Sequence, residues 1–250
     1  MPHSLTTGLL PVLILVLPGV AACSGDGDEA TIQILAAASL TEAYTALAED
    51  FEADHSGVEV ELLLGSSTDL AGTVADEAPG DVLATADETS MQVAVDAGVT
   101  AADPVVFAAN EMVIVTAPGD PEGIESLADL ADVTWVRCAD DVPCGRVALS
   151  LLEGAEVTAE PVSLEVDVKA TIEKVTAGEA DAGLVYASDA VAAGQDVESV
   201  PIEGAEEFPA VYYIAPLSQS VDSELAADWI ELVTSDEGLE ALDAAGFSAP

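Results

Sequence analysis

The sequence is very poor in positive charge. Only 4 of its 250 residues are Lys or Arg, whereas 48 are Asp or Glu, so the formal net charge at pH 7 is −44. So few cations cannot neutralise a run of phosphates, which excludes a nucleic acid partner. The same shortage excludes adhesion to an anionic membrane through a polybasic patch.

Histidine and aromatic residues are also scarce. His3 and His55 are the only two histidines, which argues against a multi-histidine metal site and leaves few bases for a catalytic triad. Aromatic residues make up 4% of the chain, so the core must consist mainly of Ala, Val, Leu and Ile. Half of the residues are apolar, which excludes a disordered acidic tail and is enough for one large domain or two small ones.

The acidity has two interpretations. One is a solvated surface suited to high salt, where screening weakens self-repulsion. The other is binding of hard cations such as calcium, but the sequence contains no D-x-[DN]-x-[DN]-G loop. We therefore favour the solvated surface and expect no direct cation ligands.

The N-terminus is typical of an export signal. Residues 1–22 contain no charged side chain other than histidine, and Leu9–Leu17 is an apolar run too short to span a bilayer. The segment Val20-Ala21-Ala22-Cys23 resembles a bacterial lipobox, although Met1–Gly8 lacks the usual Lys or Arg. We expect a lipoprotein signal peptide over 1–22, lipidation of Cys23 and a flexible tether over 23–30.

This interpretation predicts where the mature chain resides. It would be extracytoplasmic and lipid-anchored to the outer face of the cell membrane, in a periplasm or on the cell surface. The alternative is an ordinary secretory signal cleaved near Ala22, in which Cys23 is incidental. Both interpretations place the mature chain outside the cytoplasm.

Two further cysteines then form an even pair. Cys138 and Cys144 lie six residues apart in an oxidising compartment, which favours a small disulfide loop. The alternative is two buried free thiols. A redox-active pair is less favoured, because the spacing is not C-x-x-C.

Strand and helix patterns alternate along the chain, which predicts an α/β fold with mostly parallel sheets flanked by helices. The strands near Met112 and Ala210 would cross between two lobes, and the C-terminal helices would return to the first. We expect lobe 1 over 31–110 with 216–250, and lobe 2 over 111–215. Ligands of such folds bind in the cleft between the lobes.

The candidate site lies at helix N-termini. Four predicted strand-to-helix turns carry small or polar residues, namely Ser39, Ser66-Ser67-Thr68, Cys144-Gly145 and Asp167-Val168. Free N–H groups at the positive end of a helix dipole bind anions without a basic side chain. Each residue also has a structural interpretation: Ser39, with Glu42, fits a capping box, Ser67 fits a turn, and Tyr186 fits a core position with a satisfied hydroxyl.

Several motifs together resemble the periplasmic molybdate-binding proteins of ABC importers, which are type II solute-binding proteins. The resemblance covers about residues 31–250. It rests on the blocks Ala36-Ala37-Ala38-Ser39-Leu40, Gly65-Ser66-Ser67-Thr68, Val142-Pro143-Cys144-Gly145, Asp167-Val168-Lys169 and Val185-Tyr186-Ala187-Ser188-Asp189-Ala190. It implies the two-lobed fold of periplasmic binding proteins.

The resemblance also implies a ligand set. The oxyanion would be held by hydrogen bonds from Ser39, Ser67, Cys144, Val168 and Tyr186, with hydroxyl or main-chain donors and no cationic contact. Cys144 departs from the Ala expected most often there, but its donor would be the backbone N–H. The implied function is capture of molybdate, with tungstate as a second ligand, and delivery to a membrane permease by a monomer without cofactor or catalysis.

Three alternatives remain at this stage. The chain is a receptor for another oxyanion, such as sulfate or phosphate, with Asp69 or Asp167 as the carboxylate acceptor that a protonated phosphate needs. It is a serine hydrolase that uses Ser39 or Ser67, although no G-x-S-x-G elbow is present and His55 is expected to be exposed. Or it is a structural surface lipoprotein without a ligand.

The few basic residues cluster near the proposed ligand loops. Arg137 and Arg146 flank the cysteine loop, and Lys169 follows Val168. One hypothesis is that these cations steer an incoming dianion through the acidic field of the surface. The alternative is chance placement with local ion pairs.

Overall fold

The structure is a computed structural model that describes Met1 and residues 30–250. All but the first residue of the expected signal peptide over 1–22, the expected lipidation site Cys23 and all but the last residue of the tether over 23–30 lie outside the described residues. These assignments therefore stay predictions.

The described residues form ten strands, which match the apolar and β-branched segments of the sequence. They are β1 (Ala30–Ala37), β2 (Val58–Gly65), β3 (Val82–Thr85), β4 (Val105–Asn110), β5 (Met112–Thr116), β6 (Trp135–Cys138), β7 (Ser163–Glu165), β8 (Ala182–Tyr186), β9 (Glu198–Pro201) and β10 (Ala210–Pro216).

Eight α-helices alternate with these strands within the described part of the chain. They are α1 (Thr41–Asp54), α2 (Ser67–Ala75), α3 (Glu88–Asp96), α4 (Pro143–Gly154), α5 (Val168–Thr176), α6 (Ala187–Ala193), α7 (Ser223–Thr234) and α8 (Asp236–Ala244). Two of them begin directly after an Asp that caps the helix. The Asp167 carboxylate accepts the Ala170 N–H at 2.9 Å, and the Asp222 carboxylate accepts two N–H groups of α7.

The strands form two five-stranded sheets of similar design. The first has the order β2-β1-β3-β10-β4, and the second has the order β7-β6-β8-β5-β9. In the first sheet only β10 runs against its neighbours, and in the second only β5 does. Four of the five strands in each sheet therefore share one direction, which confirms the predicted α/β class.

The two antiparallel strands lie next to the points where the chain changes sheet. It leaves the first sheet at Glu111, between β4 and β5, and returns between β9 and β10. The division expected from sequence assigned β10 to the second lobe, but β10 pairs with β3 and β4 of the first sheet. The partners of this strand lie more than a hundred residues away, so its local pattern did not reveal its sheet.

Both faces of the first sheet are covered by helices. In β1, Ile32, Ile34 and Ala36 point into the main core, whereas Leu35 points into a smaller cluster under α2 and α3. This is the period of two expected of a strand between two helical layers. Helices α1, α7 and α8 pack together on the main-core side. There the rings of Trp229 and Tyr44 meet edge-on, with 5.4 Å between their centroids.

Several element predictions differ from the structure. The sequence pattern over 124–130 predicts an α-helix, but the structure has a 3₁₀ helix at Leu127–Asp132, started by a Ser126–Asp129 capping box. The strands β4 and β9 and the helix α6 had no predicted counterpart. β9 is a mostly exposed edge strand of mixed composition, so it lacks the continuous apolar run that marks a buried strand. β4 does carry such a run over 105–109, so the signal for this strand was present in the sequence.

Candidate functional site

A pocket lies where loops from the two sheets meet. Its empty volume is about 230 Å³, part of which is open to solvent, so it suits a small solute. All five residues predicted as oxyanion ligands line it: Ser39, Ser67, Cys144, Val168 and Tyr186. The structure therefore brings together residues that lie up to 147 positions apart in the sequence.

Three of these residues lie in the first turn of a helix. Ser67 begins α2, Val168 begins α5, and Cys144 is the second residue of α4. First-turn N–H groups have no acceptor within their own helix, and they carry the positive end of the helix dipole. Three dipoles from both halves of the molecule therefore meet at the pocket, as an anion site without cations requires.

Ser39 belongs to a 3₁₀ turn (Ala38–Leu40) that links β1 to α1. The predicted capping box of Ser39 with Glu42 is wrong, because α1 begins at Thr41 and no side chain caps it. Instead, the Ser39 hydroxyl lies 2.7 Å from the Tyr212 hydroxyl, and both residues are buried. Tyr212, on β10, therefore orients Ser39 at the pocket, and no local pattern in the sequence indicates this partner.

The Ser67 hydroxyl is arranged to donate. Its oxygen accepts the N–H of Ala86 at 3.0 Å, which leaves the hydroxyl proton available for a ligand. Ala86 also lines the pocket, directly after β3. The serine is thus fixed by the loop of the neighbouring strand rather than by its own helix.

Tyr186 ends β8 and is 1% exposed. Its hydroxyl has no hydrogen-bond partner among the described residues, so the interpretation as a satisfied core tyrosine is wrong. Burial raises the pKa of Tyr186 well above its usual value, which keeps the hydroxyl protonated as a donor. A buried, unpaired donor is costly unless a ligand accepts its proton.

Ser66 is a pocket residue that the predicted ligand set omitted. It is 7% exposed, lines the pocket, and its hydroxyl has no partner within residues 30–250. The Ser66-Ser67-Thr68 turn was the available signal. Sequence alone does not reveal which of two consecutive serines faces a ligand.

Cys138 and Cys144 form a disulfide, with 5.7 Å between their Cα atoms. The alternative of two free thiols is therefore wrong. The bond joins the end of β6 to the first turn of α4, where Cys144 lines the pocket. It fixes the loop that presents this donor.

The electrostatics of the pocket depend on neutral donors. No Lys, Arg or His lines it, and Asp167 is its one charged lining residue. One oxygen of that carboxylate already accepts the Ala170 N–H. Asp69, the other carboxylate considered for a phosphate receptor, does not line the pocket.

The basic residues near the ligand loops are all ion-paired. Arg137 is buried and contacts Asp140 at 2.7 Å; Arg146 contacts Asp87 and Lys169 contacts Glu42 at the same distance. This matches the alternative of local ion pairs. Paired cations attract a distant anion less than free ones do, so the geometry weighs against the steering hypothesis.

The structure places no general base beside the pocket serines. The His55 side chain is 30% exposed, stacks on Phe51 with ring centroids 4.0 Å apart, and lies 3.5 Å from Asp228. It is half-buried rather than exposed as predicted, and it is absent from the pocket lining. Neither Ser39 nor Ser67 contacts it, so the triad geometry of a serine hydrolase is not formed.

The described residues form neither a metal-binding cluster nor a membrane-spanning helix. They contain no group of three or more His, Cys, Asp or Glu side chains placed to hold a metal ion. They also contain no helix that is both long enough and apolar enough to cross a bilayer.

Two helix-flanked sheets with a pocket of neutral donors between them define a protein that encloses a small solute. Comparison with protein families gives the same class. The family model described as bacterial extracellular solute-binding protein matches residues 32–248, and the chain belongs to this family.

Individual relatives add detail. The chain is 36% identical to the molybdate-binding protein ModA of Mycobacterium tuberculosis, over 98% of each chain. Its fold is similar to that of the periplasmic molybdate-binding protein of Azotobacter vinelandii (TM-score 0.76, 18% identity, 88% of this chain and 99% of that one). It is equally similar to the sulfate-binding protein SubI of M. tuberculosis (TM-score 0.77, 18% identity, 88% and 87%). At such identities the structural likeness establishes the fold and not the ligand.

Proposed function

We propose that this chain captures molybdate outside the cytoplasm and delivers it to the membrane permease of an ABC importer. The observation that carries the proposal is the convergence of Ser39, Ser67, Cys144, Val168 and Tyr186 on one small pocket without a cationic side chain. The 36% identity to a molybdate-binding protein over almost the whole chain supports molybdate as the oxyanion.

The donor set suits a fully deprotonated dianion. Hydroxyl and backbone N–H groups supply protons, and a tetrahedral oxyanion supplies only acceptors. Tungstate has the same shape and charge, so we expect it as a second ligand. Hydrogen bonds to charged groups are the stronger kind, which allows tight binding without a salt bridge.

Sulfate and phosphate are the competing ligands. Sulfate accepts the same donors, so selection against it would depend on cavity size. Phosphate is favoured by one observation, the Asp167 carboxylate in the pocket lining, because a protonated phosphate needs an acceptor. That carboxylate is partly occupied by its N-cap bond, which makes phosphate the weaker candidate.

The remaining features follow from the family and the sequence. We infer a monomer, anchored through Cys23 to the outer face of the membrane, with no catalytic activity. The sheet membership of β10 shifts the proposed lobes to 30–110 with 210–250, and 111–209. Closure of these lobes would present the loaded form to the permease.

Isothermal titration calorimetry tests the proposal. We expect tight binding of molybdate and tungstate and much weaker binding of sulfate and phosphate. Tyr186→Phe removes one donor to a charged ligand and should weaken molybdate binding about 10- to 100-fold. Tyr213→Phe, a change outside the pocket lining, is the matched control and should bind like wild type. Tight sulfate binding without a molybdate signal would contradict the proposal.

A further inference from the structure

Two clusters of polar contacts cross the cleft between the sheets, and each is centred on a basic residue of the second half. Arg146 of α4 reaches the α2–α3 side of the first sheet. Lys169 of α5 reaches α1. We call them the Arg146 clasp (Arg146, Asp87, Thr68, Ser90 and Asp141) and the Lys169 clasp (Lys169, Glu42 and Asp189).

The Arg146 clasp is a network. The Arg146 Nε and Nη2 atoms both lie 2.7 Å from Asp87 Oδ2, and Nη2 also donates to Ser90 Oγ at 3.1 Å. A second bond crosses the cleft from the Thr68 hydroxyl to the Asp141 carbonyl at 2.8 Å. The Arg146 and Asp87 side chains are only 29% and 18% exposed, so their ion pair is less screened than a surface pair.

The Lys169 clasp is smaller. The Lys169 Nζ atom donates to both carboxylate oxygens of Glu42, at 2.7 and 2.9 Å, across the cleft. It also lies 3.3 Å from the Asp189 carboxylate of its own half, which is fully buried. Asp189 in turn accepts the N–H of Tyr186, the proposed ligand residue, at 3.2 Å.

Each clasp joins one proposed ligand loop of the first half to one of the second. Arg146 follows Cys144 by two residues, and its contact Thr68 follows Ser67 by one. Lys169 directly follows Val168, and Glu42 follows Ser39 by three. The contacts that close the cleft are therefore within a helical turn of the residues that would hold the anion.

We propose that Arg146 and Lys169 are positioning residues that hold the cleft shut over the bound oxyanion, through Asp87 and Glu42, and so set its residence time. The inference rests on the proposed function. The two halves of an acidic molecule repel one another. In the closed form Lys169 lies between the carboxylates of Glu42 in the first half and Asp189 in the second, and Arg146 of the second half pairs with Asp87 of the first. The closed form is then stabilised by the ligand, which both halves contact, and by the two ion pairs that cross the cleft.

Association and dissociation rate constants distinguish this proposal from electrostatic steering. A steering cation changes the association rate constant, and its effect disappears as salt increases. A partly buried contact made only after closure changes the dissociation rate constant. The same variants therefore distinguish the two roles.

The test is stopped-flow measurement of molybdate association and dissociation for Arg146→Gln and Lys169→Gln. We expect the dissociation rate constant to increase about tenfold for Arg146→Gln and about threefold for Lys169→Gln, with association changed less than twofold. Asp87→Asn should reproduce Arg146→Gln, because Asn keeps the N-cap bond to Ser90 that Asp87 makes in α3.

Lys174→Gln is the matched control. Lys174 lies on the same helix as Lys169, and its partner Glu179 belongs to the same half of the molecule. It removes the same charge without touching the cleft, so its dissociation rate constant should equal that of wild type. Small-angle scattering should also show a larger radius of gyration for molybdate-loaded Arg146→Gln and Lys169→Gln than for molybdate-loaded wild type.

The outcomes separate the two proposals. Wild-type dissociation rates in both clasp variants, in protein that binds molybdate, would overturn the clasps and leave the proposed function intact. Lower association rates with unchanged dissociation would likewise overturn them in favour of steering. Absence of molybdate binding by wild type would overturn the proposed function, and the clasps with it.

Discussion

At the scale of single residues, the site depends on buried polar groups that the rest of the fold leaves available. The Tyr186 and Ser66 hydroxyls have no partner within the described part of the chain, and Ser67 accepts a bond that leaves its proton available. Asp189 is the charged counterpart. It is fully buried beside Lys169, and burial raises the pKa of its carboxyl to about 6.

Asp189 makes stability depend on pH in a direction opposite to that of most carboxylates. Its pKa is about 6 in the folded state against an ordinary 3.8, so between these values the folded state binds more protons than the unfolded one. The stabilisation is therefore present at low pH and is lost as pH increases through 6. Lys169 contacts the Asp189 carboxylate, and Glu42 lies on the other side of Lys169.

We predict that wild type gains stability relative to Asp189→Asn as pH decreases from 7 to 4, by up to about 1.4 kcal/mol per pH unit. Asn is nearly isosteric and keeps an acceptor for the Tyr186 N–H. Urea unfolding of both proteins at several pH values measures the difference, and the other carboxylates cancel between them. A constant difference across this range would contradict the prediction.

At the scale of elements, the first turn of α4 shows how close packing positions a donor. The Cys138–Cys144 disulfide ties the helix to β6, and Gly145 then packs against the backbone of the preceding loop. A Cβ at Gly145 would lie 1.7 Å from the Ala139 carbonyl oxygen. Glycine is required there because the neighbouring atom is backbone, which cannot move aside as a side chain does.

Gly145→Ala should therefore displace the start of α4 and the Cys144 N–H with it. We expect destabilisation of about 1–3 kcal/mol and molybdate affinity at least about fivefold weaker, because backbone must shift in a well-packed region. Thermal unfolding and calorimetry measure the two effects.

Gly72→Ala provides the matched control. Gly72 lies within α2, and a Cβ there would meet no atom within 4 Å. Replacement by Ala in an open helix position should stabilise the protein slightly and leave affinity unchanged. Equal behaviour of the two variants would show that the close approach at Gly145 has no role.

At the scale of the whole molecule, the dominant fact is a net charge of −44 with four cations. The four basic residues are all in ion pairs within the described structure, and two of those pairs cross the cleft. The remaining acidic groups repel one another over the surface. An oxyanion site remains compatible with this surface because helix dipoles and neutral donors act at short range, whereas salt screens the long-range field.

We predict that the melting temperature increases by about 5 °C or more between 0.1 and 2 M KCl, because the Debye length shortens from about 10 Å to about 3 Å or less. Differential scanning calorimetry measures it. Sucrose at matched osmolality does not screen charge and serves as the control. An equal increase in sucrose would show that screening is not the cause.

The sequence determined the elements and the chemistry of this protein to a large extent. Apolar periodicity predicted the alternation of strands and helices that the structure shows. The shortage of cations excluded phosphate-rich partners, and the Ser, Cys and Tyr motifs indicated the pocket residues. These inferences succeed because they depend on neighbouring residues or on composition.

Tertiary structure decided what depends on distant partners. It placed β10 in the first sheet, gave Ser39 a partner in Tyr212 instead of a capping role, and left the Tyr186 hydroxyl unpaired. It also set Arg146 against Asp87 and Lys169 against Glu42 across the cleft. Such pairings join residues tens to more than a hundred positions apart, and no local pattern specifies which of 48 carboxylates will meet which of four cations.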